Sequence, residues 1–474
     1  MKKLFLLILA LAGRLQAIPG FIEEKLKPND LQGASTFGSN LAVSADGKTI
    51  VVGVSKDNSN MGCAIVFKKQ SDGWHQDGHK LIASDTKGAK IYQGSSVAIS
   101  ADGKHIAVGG SGDNDDMGAV WIYDYSDADK TWTQSAKIVA SNVNGTEINQ
   151  GSAVAFADNG RILAIGAMSD SNLRGASFVF KHNGTEWQEQ TKLIANLDET
   201  NQRQGVNIAM SEDGNTAVVA ALYDEKADGA VYVFTRADSK WSQGPKLQCI
   251  DSPDQHSLGG VALSADGKTL AIGSPSNGGR KGNVCIFIRS GSQWIQQGER
   301  LAGSGVTDLN NAAQGFGVAL SRDGKTLLIG GPFDNFLVGA TWRFAQIDGS
   351  KWLQQGEKIT VSDSIHQSQQ GSPLAVSGNG NTLVIAGPDD NFHKGAVWVF
   401  SKPEEALQPS TNKDYYLSYW IPPLAAIAAT VIGFVIKHNL KKYCCTDQNP
   451  ESAFTIPVAG PRFEIMMDQM GTTR

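Results

Sequence analysis

The stretch Val261-Ala262-Leu263-Ser264-Ala265-Asp266-Gly267-Lys268-Thr269-Leu270-Ala271-Ile272-Gly273 decides the fold. An apolar run, a Ser-x-Asp-Gly-Lys turn and a second apolar run ending at glycine form a tight β-hairpin. Gly267 allows the positive φ that such a turn needs, and Asp266 bonds its own backbone. Outward from it, a loop through Asn277 leads to Gly282, Val284-Cys285-Ile286-Phe287 reads as a third strand, and Trp294 opens a fourth that ends at Arg300-Leu301. Four short antiparallel strands of this kind make one propeller blade. The turn glycines of the copies are Gly47, Gly103, Gly160, Gly214, Gly267, Gly324 and Gly380, so the motif recurs at spacings of 53 to 57 residues. A fixed period of this length with strand-type alternation predicts an all-β, seven-bladed β-propeller, one blade per repeat.

The seventh copy ends its third strand at Ala396-Val397-Trp398-Val399-Phe400 without a following Trp and Lys-Leu strand. Ile22-Glu23-Glu24-Lys25-Leu26, ahead of the first copy, offers that strand. Residues 21–27 therefore close blade 7 and remove the open edge between the first and last blades. Deleting residues 18–27 is expected to destabilise the whole ring. Trp74, Trp132, Trp187, Trp241, Trp294 and Trp352 occupy equivalent places, one per blade. Regular placement favours packing between or within blades over an aromatic binding surface.

The flanking segments carry targeting signals. Lys2 and Lys3 precede an apolar run from Leu4 to Ala12, which reads as a signal peptide (1–17) cut after Ala17. The propeller occupies 18–401 and a linker 402–414. Tyr415 to Ile436 is uncharged and long enough for a transmembrane helix (415–436), with Tyr415, Tyr416, Tyr419 and Trp420 as an aromatic belt. Lys437, Lys441 and Lys442 place the tail (437–474) in the cytoplasm and the propeller outside, a single-pass type I arrangement in the cell membrane. Cys444 and Cys445, just inside the membrane, are palmitoylation candidates. Cys63, Cys249 and Cys285 read as small buried hydrophobes, since no Cys-x-x-Cys pair suggests zinc and their number is odd. Asn144-Gly145-Thr146 and Asn183-Gly184-Thr185 fit the glycosylation sequon. The tail offers Phe463 to Met467 to a cytoplasmic partner, or is a disordered end. The net charge of -5 gives no electrostatic reason to expect nucleic acid.

Phe316-Gly317-Val318-Ala319, with Asp323-Gly324 and Ile329-Gly330-Gly331-Pro332, resembles the FG-GAP repeat. That repeat builds the seven-bladed head of integrin α chains and many bacterial and protist surface proteins. Phe37-Gly38 opens the first copy in the same way, and the resemblance covers residues 21 to 401. It implies a cell-surface module for adhesion or recognition, on a plan similar to integrin α without its leg domains. One departure matters. Integrin-type repeats often carry an Asp-rich calcium loop between the first two strands, whereas this chain has the Ser-x-Asp-Gly-Lys turn there. One carboxylate in a hairpin cannot supply the six to eight oxygens that calcium takes, so the family's metal sites are not carried over and no cofactor is expected.

Five residues before each third-strand glycine stands Asp57, Asp113, Asp170, Asp224, Asn277, Asp334 or Asp390. The ring reads either as carboxylates for a cation or as Asx residues that cap loop amides. Repetition in every blade favours the second. Asp113, Asp115 and Asp116 form the most acidic loop and the nearest approach to a calcium site. Residues that break the repeat are better candidates for ligand binding: Phe336, Phe392, His393, Lys394 and Arg174, since exposed aromatics beside charge mark interaction patches. No residues stand out as catalytic. The eight histidines lack metal-ligand spacing, and neither a Gly-x-Ser-x-Gly elbow nor a P-loop occurs. The expected role is binding of a protein or glycan partner outside the cell. The alternatives are a hydrolase- or lyase-like propeller with its site in the central channel, and a structural envelope protein.

Overall fold

The computed structural model describes residues 18–196, 201–223, 229–249, 258–276, 280–307 and 311–403. Seven four-stranded antiparallel sheets form the blades, each running from an inner to an outer strand in sequence order except the last. Blade 2 is representative, with strands Gln93–Ile99, His105–Gly110, Ala119–Ser126 and Thr131–Ile138. Second strands such as Thr49–Val54 and Thr382–Gly387 are buried throughout, because both faces of each blade are covered by a neighbour. Their continuous apolar runs are the signature of that two-sided burial.

The cores lie between blades. One cluster joins Ile50, Val52 and Phe67 of blade 1 to Val397 and Val399 of blade 7, and another joins Val179 and Leu193 of blade 3 to Val219 and Tyr232 of blade 4. Trp74 is buried in the first of these. Trp132 and Trp352 donate their indole N–H back one period, to Asp77 Oδ2 at 3.0 Å and Gln297 Oε1 at 3.2 Å. These tryptophans pack between adjacent blades, as their spacing predicts.

Ring closure follows the sequence expectation. Ile22–Lys25 pairs antiparallel with Ala396–Ser401, with Ile22 opposite Ser401 and Lys25 opposite Trp398. Ile18 and Phe21 enter the cluster between blades 6 and 7, and Leu26 the cluster between blades 7 and 1. The N-terminal segment thus seals two junctions at once.

The cysteine expectation needs correction. Cys63 is a buried free thiol whose pKa is pushed up by burial and by Asp57. Cys249 and Cys285, however, form a disulfide with Cα atoms 5.9 Å apart. It joins the end of blade 4 to the third strand of blade 5. The two are 36 residues apart in sequence, and only the stacking of the blades brings them together. Among the described residues no helix is long and apolar enough to cross a membrane. The predicted signal peptide, the predicted span at 415–436, the tail, and Cys444 and Cys445 lie outside the described residues.

Candidate binding face

The two ends of the ring are built differently. At one end lie the hairpins between inner and second strands. Ser264 Oγ donates to Asp266 Oδ1 at 2.6 Å, and that oxygen also accepts the Lys268 N–H at 3.0 Å. The same local network recurs at Ser44, Ser100, Ser211, Ser321 and, with Asn379 replacing Asp, Ser377. The turn carboxylate therefore serves its own backbone. Neighbouring hairpins are also laced together: Ala45 to Ala101, Asp102 to Asn159, Asp158 to Glu212, Glu212 to Ala265, Ala265 to Arg322, Asp323 to Gly378 and Gly378 to Ala45. This is a closed circle of hydrogen bonds around the axis.

The opposite end carries the turns between second and third strands. In five described blades the turn after the aspartate places three successive residues at positive φ: Asn58-Ser59-Asn60, Asn114-Asp115-Asp116, Ser171-Asn172-Leu173, Asn335-Phe336-Leu337 and Asn391-Phe392-His393. The glycine that ends each turn meets the next blade's backbone. A Cβ on Gly118 would lie 2.1 Å from the Gln150 carbonyl oxygen. Only glycine permits that approach.

The aspartates that open these turns are buried. Asp57, Asp113, Asp170 and Asp334 each meet a lysine from the outer strand of their own blade or the segment that follows it: Lys80 at 2.7 Å, Lys137 at 2.7 Å, Lys192 at 2.6 Å and Lys358 at 2.5 Å. In blade 7 the partner of Asp390 is Lys25 of the closing strand, at 3.4 Å. The second carboxylate oxygen accepts a backbone N–H from the loop arriving from the previous blade, namely that of Gln32, Lys87, Asn144, Thr307 or Ile365 at 2.5–2.8 Å. So the ring of carboxylates is a set of structural clamps. Each ties the turn, the outer strand and the interblade connection together, and a buried carboxylate is tolerated because it is paired and bonded. The amides shown to be capped belong to the incoming connection and not, as the spacing suggests, to the aspartate's own turn. Asp224 and Asn277 lie outside the described residues.

Buried glutamines complete the clamp. Gln93, Gln150, Gln204, Gln314 and Gln370 each accept a backbone N–H of the connecting loop through Oε1. Neither these glutamines nor the lysine partners emerge from a search for site-like motifs. Their signal is the repeat itself, in which each Asp is answered by a Lys at the close of the same blade.

What remains outside the clamps is the exposed tip of each turn. Phe336 is 73% exposed and Phe392 69% exposed, both with left-handed backbones, on adjacent blades 6 and 7. The connection between those blades bridges the two turns: Gln369 N–H donates to the Leu337 carbonyl, and Asn391 N–H to the Ile365 carbonyl. His366 of that connection packs on Phe392 with ring centroids 4.3 Å apart, and Ile365 is exposed beside it. His393 is exposed and bonds Asp389 at 2.8 Å, and Lys394 is exposed next to it. The structure therefore assembles Phe336, Phe392, His393 and Lys394 on one sector. Arg174 lies on blade 3, with two blades intervening in either direction, and does not join them.

Asp113 is engaged by Lys137 and the Lys87 amide, while Asp115 and Asp116 are exposed on the turn tip. Among the described residues no three acidic, imidazole or thiol groups converge on a metal position. Asn144 is exposed, and Asn183 accepts the Thr185 hydroxyl and amide within its own turn.

The axial channel opens on the same face as a cavity of about 620 Å³ rimmed by Ser39, Asn40, Lys56, Asn207, Phe316 and Asp389. Further along the same inner strands its wall is aliphatic, with Val43, Val97, Ile99, Leu263, Leu320 and Val376.

The FG-GAP repeat profile matches residues 187–234, the outer strand of blade 3 and the first three strands of blade 4. The seven-bladed ring thus carries an FG-GAP repeat. No curated protein matches the chain. Among solved structures, the ring is similar to Kuenenia stuttgartiensis hydrazine synthase, at 15% identity over 78% of this chain and 97% of that one, TM-score 0.51. It is also similar to the Cps50 (Swd1) β-propeller domain of Myceliophteria thermophila, at 11% identity over 80% and 99%, TM-score 0.52. A chain of the mitotic checkpoint complex matches at 15% identity over 82% and 94%, TM-score 0.52. At these identities the likeness is one of fold.

Proposed function

We propose that this FG-GAP propeller is a membrane-anchored, extracytoplasmic recognition module that binds a protein partner through the turn tips of blades 6 and 7. The observation that carries the reading is the pair Phe336 and Phe392. A bulky side chain at positive φ is disfavoured by about 1–2 kcal/mol, and these two side chains gain little packing in return because they are mostly exposed. The blade does not require them, since the same position is Ser59, Asp115 or Asn172 elsewhere. An aromatic held out at a strained position suits an anchor for a partner's pocket, and backbone strain of this kind gathers at functional sites. His393 and Lys394 would add polar contacts at its edge.

The mechanism is rigid display. The Asp-Lys clamps fix each connection, so the tips are presented on a preorganised frame and little ordering entropy is lost on binding. No chemical step is involved. The aliphatic channel wall favours this reading over a channel enzyme. The extracytoplasmic placement rests on the sequence signals at both ends, and the interblade disulfide supports it because such bonds persist in oxidising compartments.

The test is a surface-protein and glycan array probed with the full-length chain and with a Phe336→Asn/Phe392→Asn double variant. Saturable binding to a protein that the double variant loses is the expected result. Binding that survives the double substitution would place the interface elsewhere.

A further inference from the structure

The aromatic sector does not use a second concavity, a cavity of about 450 Å³ between blades 2 and 3. Its wall departs from the repeat. At the start of the second strand, blades 1, 4, 5, 6 and 7 place Thr49, Thr216, Thr269, Thr326 and Thr382, whereas blade 2 has His105. Opposite it across the sheet stands Asp124, where other blades have Lys68, Thr235 or Ser401. His105 Nδ1 bonds Asp124 Oδ1 at 2.7 Å. Gly160 packs against the imidazole so closely that a Cβ there would lie 2.7 Å from the ring. The imidazole is thus held by a turn glycine that packs on the equivalent residue in every blade and by the Asp124 carboxylate, which the repeat does not supply.

The chemistry of the lining selects a ligand class. Arg161 is paired with Asp158 at 3.1 Å and Lys137 with Asp113 at 2.7 Å, so the cleft has no surplus cation for a phosphate or carboxylate. His182 Nδ1 accepts the Gly184 N–H at 3.3 Å, which leaves Nε2 carrying the proton as a donor. Asp124 and Glu186 supply acceptors, and Ser135 and Thr185 supply hydroxyls. The half-buried indole of Trp187, packed edge-on by His182 at 5.3 Å, supplies an apolar face. Balanced charge, donors and acceptors of both kinds and one aromatic face complement a neutral, hydroxyl-rich ring. We propose that the cleft between blades 2 and 3 binds a pyranose residue of a glycan. The sugar's apolar face lies on Trp187, and its hydroxyls bond His105, Asp124 and Glu186. The site is independent of the aromatic sector on blades 6 and 7.

The experiment is saturation-transfer NMR and calorimetry of the full-length chain with methyl α-mannopyranoside, methyl β-galactopyranoside, methyl β-glucopyranoside and N-acetylglucosamine. At least one sugar should bind saturably. His105→Thr and Asp124→Ser restore residues that other blades carry at those places, so both variants should fold normally. Each should weaken binding at least tenfold, while Phe336→Asn leaves it unchanged. Failure of all four sugars to saturate overturns the proposal, as does saturation that His105→Thr and Asp124→Ser leave intact.

Discussion

Replacing Phe336 by Asn should make the propeller slightly more stable, although it removes a large apolar side chain. Asn visits the left-handed region with little penalty, so the substitution recovers about 1 kcal/mol of backbone strain. Against that stands the covered quarter of the side chain. Full burial of Phe is worth about 1.5–3 kcal/mol, so a quarter is worth about 0.4–0.8 kcal/mol. The balance is a gain of about 0.5 kcal/mol. Phe336→Ala loses the same contacts and keeps the strain, so it should fall about 1 kcal/mol below the Asn variant. Phe392→Asn should come out near neutral, because the His366 ring contact is lost as well and such pairs contribute about 0.5–1.5 kcal/mol. The fully buried Phe178 gives the contrasting scale, since its truncation to Ala should cost about 3–5 kcal/mol. Urea denaturation of the four variants measures the differences. A Phe336→Asn variant less stable than the parent by more than about 1 kcal/mol would show that the side chain packs structurally, and the argument for an anchor would fall with it.

Three further outcomes test the frame. Lys192→Met leaves the buried Asp170 carboxylate without its ammonium and should cost about 3–5 kcal/mol, with Lys192→Met/Asp170→Asn recovering part of the loss in a double-mutant cycle. A cost below about 1 kcal/mol would mean that the clamp does not hold the blade. Reducing the Cys249–Cys285 bond, which closes a loop of 36 residues, should lower stability by up to about 4 kcal/mol, and an unchanged denaturation midpoint under reductant would contradict the link. The His105–Asp124 pair should make stability depend on pH. The hydrogen bond that His105 donates to Asp124 raises the His105 pKa against burial, so its contribution is full below about pH 6.5 and fades as pH rises through the folded value. Burial works to raise the Asp124 pKa, but bonds from His105 and Ser135 and the charge of His105 hold it low, so its contribution is lost only as acid takes pH down through that folded value. Melting between pH 5 and 8 should therefore slope downward in the parent and flatten in His105→Thr, and equal slopes would refute the assignment.

The ring was readable in the sequence because every blade repeats the same local chemistry. Hairpin residues such as Asp266 and Gly267 specify their turn within five positions, and the unmatched Lys25-Leu26 at one end answers the missing outer strand at the other. Long-range partners were harder to see. Asp113 and Lys137 are 24 residues apart, and nothing in the spacing says that one neutralises the other until the outer strand folds back along the blade. Cys249 and Cys285 meet only through the stacking of two blades, and His105 gains its role from Asp124 and from the turn of the next blade at Gly160. Arg174 illustrates the converse limit. It varies the same loop as Lys394, yet equivalence in the repeat places it on another blade, because a ring disperses what a repeat aligns.

That dispersal also explains where function should be sought. The clamps use the residue at the base of each turn and leave its tip unconstrained by packing, so the tip can change without loss of the fold. Five described blades share the left-handed turn, but only blades 6 and 7 place phenylalanine at its most exposed position. Because those blades are neighbours and their connection carries Ile365 and His366 between them, the two departures form one surface. A repeat protein gains a localised site in this way when adjacent units depart from the pattern together. The cleft at His105 follows a related rule at the junction of blades 2 and 3, where two paired positions of one blade, His105 and Asp124, depart together.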